Sequence, residues 1–173
     1  MRRVSLLFVK TNKLSTHDIP KQMHAVLCTT FGSADELVAD VAPVPKVGSG
    51  QLLVQVKHAS INRIDCQMRN GYGRNIFAAA NEQLPAIFGC DASGTVVDAG
   101  NSWSFREGDE VVVAIRPCYR GTHAQFIAVN ELDVALKPQH LSSTEAAAFP
   151  FVACTALSAL HIAVQHVRCD FLI

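Results

Sequence analysis

Residues 84–113, LPAIFGCDASGTVVDAGNSWSFREGDEVVV, decide the fold. Two β-rich runs, Ala92–Asp98 and Glu110–Ile115, flank turns at Ala99-Gly100-Asn101 and Glu107-Gly108-Asp109. Val96, Val97, Val111, Val112 and Val113 are β-branched and suit a pleated surface. Gly89, Gly94, Gly100 and Gly108 punctuate the run where the backbone needs a positive φ or a close approach. This predicts a central strand pair, with the earlier strands joining its sheet and the later ones closing it.

Upstream, Met23–Thr29 is an apolar strand candidate, Thr30–Glu36 a turn, and Leu37–Val41 a second strand stopped by Pro43 and Pro45. Gly48-Ser49-Gly50 makes a tight connection into Gln51–Ile61. There the period of two sets Leu52, Val54 and Val56 on one face and Gln55 and Lys57 on the other. Asn62–Asn70 changes to helical spacing and ends at Gly71; Tyr72–Gln83 is a loop with a helical turn at Phe77–Ala80. Downstream, Arg116–Arg120 is irregular, and Gly121–Val129 and Leu132–Leu136 are strands. Ser142-Ser143-Thr144-Glu145 is a capping box that opens a short helix through Ala148. Pro150 ends that helix and stands at the start of the last one, Phe151–Val167.

Composition narrows the function classes. Hydrophobic residues make up 49% and charged residues 17% of the 173, which predicts a packed core. Fifteen basic and fifteen acidic residues leave no basic footprint for a nucleic acid. Six cysteines without a CxxC pair fit reduced thiols, most of them buried, better than a disulfide framework. No apolar run reaches the ~20 residues that cross a bilayer. Residues 1–21 form a separate basic segment, with Arg2, Arg3, Lys10 and Lys13 and no acid before Asp18. Two readings fit it equally, a mitochondrial transit peptide or a basic tail, and the second leaves a cytoplasmic location open.

Five motifs then occur in order: Asn62-Arg63-Ile64-Asp65 after a strand, Gly89-Cys90-Asp91-Ala92-Ser93-Gly94, Gly108-Asp109-Glu110-Val111, Gly121-Thr122-His123-Ala124-Gln125-Phe126, and EAAAFPFVACTALSAL at 145–160. Together they resemble the N-terminal, GroES-like domain of the medium-chain dehydrogenase/reductase superfamily. Within it they are most similar to the zinc-free quinone oxidoreductase branch and its mitochondrial reticulon-4-interacting type. The resemblance implies a mainly β (α+β) fold, a GroES-like partly open β-barrel over residues 22–140. It also implies that the helical segment 141–173 leads to a Rossmann domain that binds NADPH. The dinucleotide fingerprint GxGxxG is not among these residues, because the 52 that follow Gly121 contain no glycine. Asp170–Ile173 reads as the stub of the first Rossmann strand. The chain is therefore expected neither to bind NADPH tightly nor to turn over a quinone or enone by itself.

The same resemblance singles out a substrate cleft. Asn62 falls where zinc-free relatives keep an Asn whose amide can hydrogen-bond a quinone or enone carbonyl. Asp65 matches the family's Asp, and also reads as a first-turn helix carboxylate. Gln67 stands where some quinone reductases carry a Tyr, and Tyr72 is a loop aromatic that either borders the cleft or packs on the surface. Zinc-using relatives place Cys at position 62 and His-Glu at 90–91; here Asn62 and Cys90-Asp91 replace them, and no metal site is expected. The seven histidines form no HxxxH or HExxH pattern. In the last helix Val152, Thr155, Ala156, Ala159, Ile162 and Ala163 form one stripe, which the family packs between its two domains. Two functions follow. One is the substrate side of an NADPH-dependent quinone or enone reductase. The other is a non-catalytic subunit or binding module of a mitochondrial complex, with a protein partner covering Phe151–Val167.

Overall fold

The computed structural model describes residues 18–73, 84–117 and 120–166. The basic segment before residue 18, the expected turn at Phe77–Ala80 and the stub at Asp170–Ile173 lie outside the described residues. Among the described residues eight strands form in chain order: β1 (Gln22–Cys28), β2 (Leu37–Pro43), β3 (Gln51–Ala59), β4 (Ala86–Ile87), β5 (Asp91–Asp98), β6 (Glu110–Ala114), β7 (Phe126–Asn130) and β8 (Val134–Leu136). Among the described residues three α-helices accompany them: α1 (Arg63–Arg69), α2 (Ser143–Ala146) and α3 (Pro150–His166).

The strands divide into two antiparallel sheets. One has five strands in the order β7-β3-β5-β6-β8, and the other three in the order β2-β1-β4. The valine-rich pair β5–β6 sits in the larger sheet, as expected, with Ala92 opposite Val113 and Gly94 opposite Val111. The first two strands correct the expectation of a single sheet: β1 pairs with β2 on one side and with the two-residue β4 on the other, not with the central pair. Gln125 closes the edge between the sheets. Its N–H donates to His24 O at 3.0 Å, its Oε1 accepts the His24 N–H at 2.9 Å, and its carbonyl accepts the Val56 N–H at 2.8 Å. The result is a partly open, GroES-like β-barrel.

Strand β3 lies between two cores. Leu52 and Val54 face one, with Ala92, Val96, Val111, Val113, Ile127 and Val129. Leu53 faces the other, with Met23, Leu27, Val97 and Phe126. The alternation at Leu52, Val54 and Val56 thus holds, but the opposite face is also buried. A central strand covered on both sides needs apolar residues at successive positions. The strand expected over Gly121–Val129 begins only at Phe126. Its first five residues hydrogen-bond irregularly, Gly121 to Ile87 O, Thr122 to Gly89 O and His123 to Phe88 O. Gly89, at φ 109, supplies the positive φ expected of it, whereas Gly94 is needed because a Cβ would overlap the Gln55 carbonyl. Of the four described cysteines, Cys28 and Cys90 are buried and Cys66 and Cys154 exposed, so burial is less general than expected. Each of the four is a free thiol.

Glu110 on β6 bridges two cations, Lys57 Nζ at 2.7 Å and Lys137 Nζ at 3.5 Å. Lys137, with a side chain only 8% exposed, also donates to Leu141 O at 2.7 Å and so ties the approach to α2 down to the sheet. The hydrogen bond from Lys57 holds the Glu110 carboxyl below its ordinary value. A lowered folded-state value adds stability above the unfolded value, about pH 4.3, and loses it as pH falls through the folded value. Glu110 is half exposed, so solvent screening limits the gain to about 0.5–1 kcal/mol. Glu110→Gln is expected to lower stability by that amount at pH 7 and to flatten its fall below pH 5. Urea midpoints measured from pH 7 to pH 3 check this, and parallel curves for the two proteins would refute it.

Candidate substrate cleft

The β3–α1 junction places Asn62 at the N-cap of α1. Asp65, three residues on, closes the capping box by accepting the Asn62 backbone N–H on Oδ2 at 2.6 Å. This fixes where the Asn62 side chain leaves the barrel. Its Nδ2 donates to Asp91 Oδ2 at 2.8 Å and lies 3.4 Å from Ser60 Oγ. Ser60 Oγ itself donates to Asp91 Oδ2 at 3.0 Å. His123 Nε2 lies 3.0 Å from the Ser60 carbonyl. A carbonyl only accepts, so Nε2 carries the proton.

Asn62, with Arg63 and Ile64, forms one wall of an open cleft of about 340 Å³. The other wall is Phe151, Val152, Thr155, Ala156 and Ala159 of α3. Four of those five, all but Phe151, belong to the stripe read from the sequence. On the other side of α3, Cys154, Leu157 and Ser158 border a second groove of about 630 Å³ against β6 and β8. The first turn of α3 is tied to the barrel through the Phe151 N–H. Every described side chain from Cys154 to Val164 is exposed, including Leu157, Leu160, Ile162 and Val164.

The four residues expected around the substrate divide. Asn62 lines the cleft. Asp65 does not: it is 4% exposed, with Oδ2 committed to Asn62 and Oδ1 accepting from Cys90 Sγ at 3.5 Å. Gln67 and Tyr72 stand farther along α1 and beyond it, where the Tyr72 N–H donates to Gln67 O at 2.9 Å, and neither lines this cleft. Tyr72 is 55% exposed. The residue that sequence reasoning missed is Asp91, read there only as a displaced zinc position. Its signal was a pair of polar residues, Asp91 and Ser93, on one face at the start of a strand whose later residues include Val96 and Val97. Both are fully buried and both turn toward the helices. Ser93 Oγ lies 2.6 Å from Ser143 O and 2.7 Å from Ser143 Oγ, and Asp91 Oδ1 accepts the Phe151 N–H at 2.5 Å.

Burial pushes the Cys90 thiol far above its ordinary value, and the carboxylates of Asp65 and Asp91 add to the rise. Cys90 therefore stays protonated and serves neither as a nucleophile nor as a thiolate ligand at neutral pH. Among the described residues no three His, Cys, Asp or Glu side chains gather in a way that could hold a metal ion. A pyrophosphate needs free N–H groups at a helix N-terminus after a glycine turn. At α3 a carboxylate already takes the Phe151 N–H.

Strand order, the GxxAxF turn at Gly121 and the Asn62 cleft define a GroES-like barrel of the medium-chain dehydrogenase/reductase superfamily. Residues 48–139 match the alcohol dehydrogenase GroES-like domain, and the chain belongs to that family. A mitochondrial NAD(P)H oxidoreductase, RTN4IP1, of Dictyostelium discoideum is 35% identical over 143 residues, 80% of this chain and 40% of that protein. The 2-methylene-furan-3-one reductase of Solanum lycopersicum is 38% identical over 151 residues, 82% of this chain and 38% of that protein. Among solved structures, the quinone oxidoreductase of Coxiella burnetii superposes with a TM-score of 0.76 at 32% identity, over 83% of this chain and 45% of that one. The chain thus spans about two fifths of the length of the curated relatives it matches. Among the described residues no helix is long and apolar enough to cross a membrane.

Proposed function

We propose that these residues form the substrate side of an NADPH-dependent quinone or enone reductase, with Asn62 as the group that meets the substrate carbonyl. The observation that carries this reading is the placement of the Asn62 amide on the wall of a cleft in a barrel of this family. Nδ2 has two hydrogens: Asp91 takes one in a short bond, and the other faces Ser60 only at 3.4 Å. A carbonyl oxygen in the cleft can take that second hydrogen. It then accumulates negative charge against a fixed donor as it is reduced. The apolar wall of Val152, Ala156 and Ala159 suits a planar, largely apolar acceptor such as a quinone or a conjugated ketone. Asp65 supports Asn62 through the backbone, and Gln67 and Tyr72 are placed to meet only a substrate that extends past α1. The hydride comes from NADPH held outside these residues.

In this reading residues 22–140 are the barrel and 141–173 lead toward the cofactor-binding domain. Residues 1–21 carry the mitochondrial address that the relatives' names suggest. Three outcomes are expected. Titrating the chain with NADPH by fluorescence gives no saturation in the micromolar range; tight binding refutes the assignment of the cofactor to other residues. Titration with duroquinone shifts the Asn62 side-chain amide signals saturably in ¹⁵N spectra. Its ring carbons are fully substituted, so it spares the exposed thiols. Asn62→Ala weakens duroquinone binding about tenfold, the loss of one hydrogen bond of about 1.4 kcal/mol. Equal affinity in the variant removes Asn62 from the site.

A second reading has one observation in its favour, the exposed apolar length of α3. It makes the chain a non-catalytic subunit of a mitochondrial complex. Stable copurification with a large partner that protects Leu157 and Leu160 from hydrogen exchange supports it, and a persistent monomer opposes it.

A further inference from the structure

A carboxylate that is fully buried must have its charge met by donors, or it takes up a proton. Asp91 meets its charge with three donors from two distant parts of the chain. Oδ2 receives Ser60 Oγ and Asn62 Nδ2, both from the β3–α1 junction, and Oδ1 receives the Phe151 N–H of α3. Helix α3 has no cap of its own. The residue before it is Phe149, which lacks a side-chain acceptor, and its first residue is Pro150, which lacks an N–H. The Phe151 N–H is thus the first orphan donor of a 17-residue helix, and strand β5 supplies its acceptor.

We propose that Asp91 is a positioning residue: it sets which way the Asn62 amide faces and joins that amide to the start of the cleft-forming helix α3. The proposal rests on Asn62 as the substrate contact. The chemistry of a carboxylate makes the role specific. It only accepts, so Asn62 must turn Nδ2, not Oδ1, toward it. That keeps the remaining Nδ2 hydrogen at a fixed point on the cleft wall. An amide at position 91 has a different preference. Its oxygen can still take the Phe151 N–H, but its own NH₂ then faces Asn62 and asks for an acceptor there. Asn62 answers by turning over and presenting Oδ1 inward. The helix stays capped while the substrate donor is displaced.

Asp91→Asn and Asp91→Ala separate these effects in the chain without added ligand. Side-chain and backbone ¹⁵N signals are read by hydrogen exchange, with Asn62→Ala identifying the Asn62 side-chain pair. In Asp91→Asn the Asn62 side-chain pair is expected to shift and exchange at least tenfold faster, while the Phe151 amide stays protected. In Asp91→Ala both are expected to lose protection at least tenfold. Ser60→Ala removes one donor to Asp91 and the long 3.4 Å contact of Asn62 Nδ2, but leaves the Asn62–Asp91 and Phe151–Asp91 bonds; it is expected to shift the Asn62 signals while changing exchange at Asn62 and Phe151 by less than about threefold. The proposal is overturned if the Asn62 side-chain pair exchanges equally fast in wild type and Asp91→Asn, or if Ser60→Ala speeds its exchange as much as Asp91→Asn does. Duroquinone then gives an independent arm. Asp91→Asn should weaken its binding about as much as Asn62→Ala, roughly tenfold. If wild type binds no duroquinone but the exchange pattern holds, the substrate assignment fails and the positioning of Asn62 by Asp91 stands.

Discussion

Replacing Gly121 by alanine is expected to cost about 3 kcal/mol or more, a fall in Tm of about 10 °C for a chain of this size. Gly121 is buried against the backbone before β5. A Cβ there would overlap the carbonyl carbon and oxygen of Phe88 and lie 2.6 Å from Ile87 O. Neither neighbour is a flexible side chain, so relief requires moving main chain. That movement breaks the bonds from the Gly121 N–H to Ile87 O at 2.8 Å and from the His123 N–H to Phe88 O at 2.9 Å. It also shifts His123 away from the Ser60 carbonyl, next to the Asn62–Asp91 pair. Gly108→Ala is the control. Gly108 has φ 93 but nothing within 4 Å of an added Cβ, so only left-handed strain of about 1–2 kcal/mol is expected. Thermal melts of both variants check the difference, and similar losses would mean that the close approach at Gly121 is not what that glycine serves.

Leu52→Ala is expected to cost about 3–5 kcal/mol, as large-to-small changes at filled core sites do. Leu52 is fully buried on β3, paired across to Val129 and packed with Val96, Val111 and Val113 between flanking strands. Such a site cannot collapse without bending the sheet, so the cavity remains. Leu160→Ala removes the same atoms from a side chain that is 61% exposed on α3 and is expected to change stability by less than about 0.5 kcal/mol. A shift in the urea midpoint for Leu160→Ala as large as that for Leu52→Ala would show that α3 is covered in solution, which favours the subunit reading.

Most of the strands, the capping box at Ser142 and Glu145, and the last helix starting at Pro150 were legible because each is a local pattern; the two-residue β4 was not, since it exists only by pairing with β1. Asn62 was legible as a site residue only through the order of five motifs, since one Asn at a strand-to-helix turn carries no function by itself. Asp65 misleads for a physical reason: a carboxylate at the third position of a helix reads alike whether it faces solvent, substrate or a buried thiol. Its 4% exposure and its bond from Cys90 are properties of the packed molecule. Gln67 and Tyr72 follow Asn62 closely in sequence, yet α1 carries them off the cleft wall.

By itself the sequence determined most of the strands, the helices and the barrel family. Period, turn chemistry and motif order are written in neighbouring residues. The tertiary structure decided that β1 and β2 leave the central sheet, that Leu53 is as buried as Leu52, and that a carboxylate on β5 caps a helix 60 residues later. No periodicity encodes that last contact. A helix without a cap of its own and a buried acid without a nearby partner each look incomplete, and only the fold brings them within 2.5 Å.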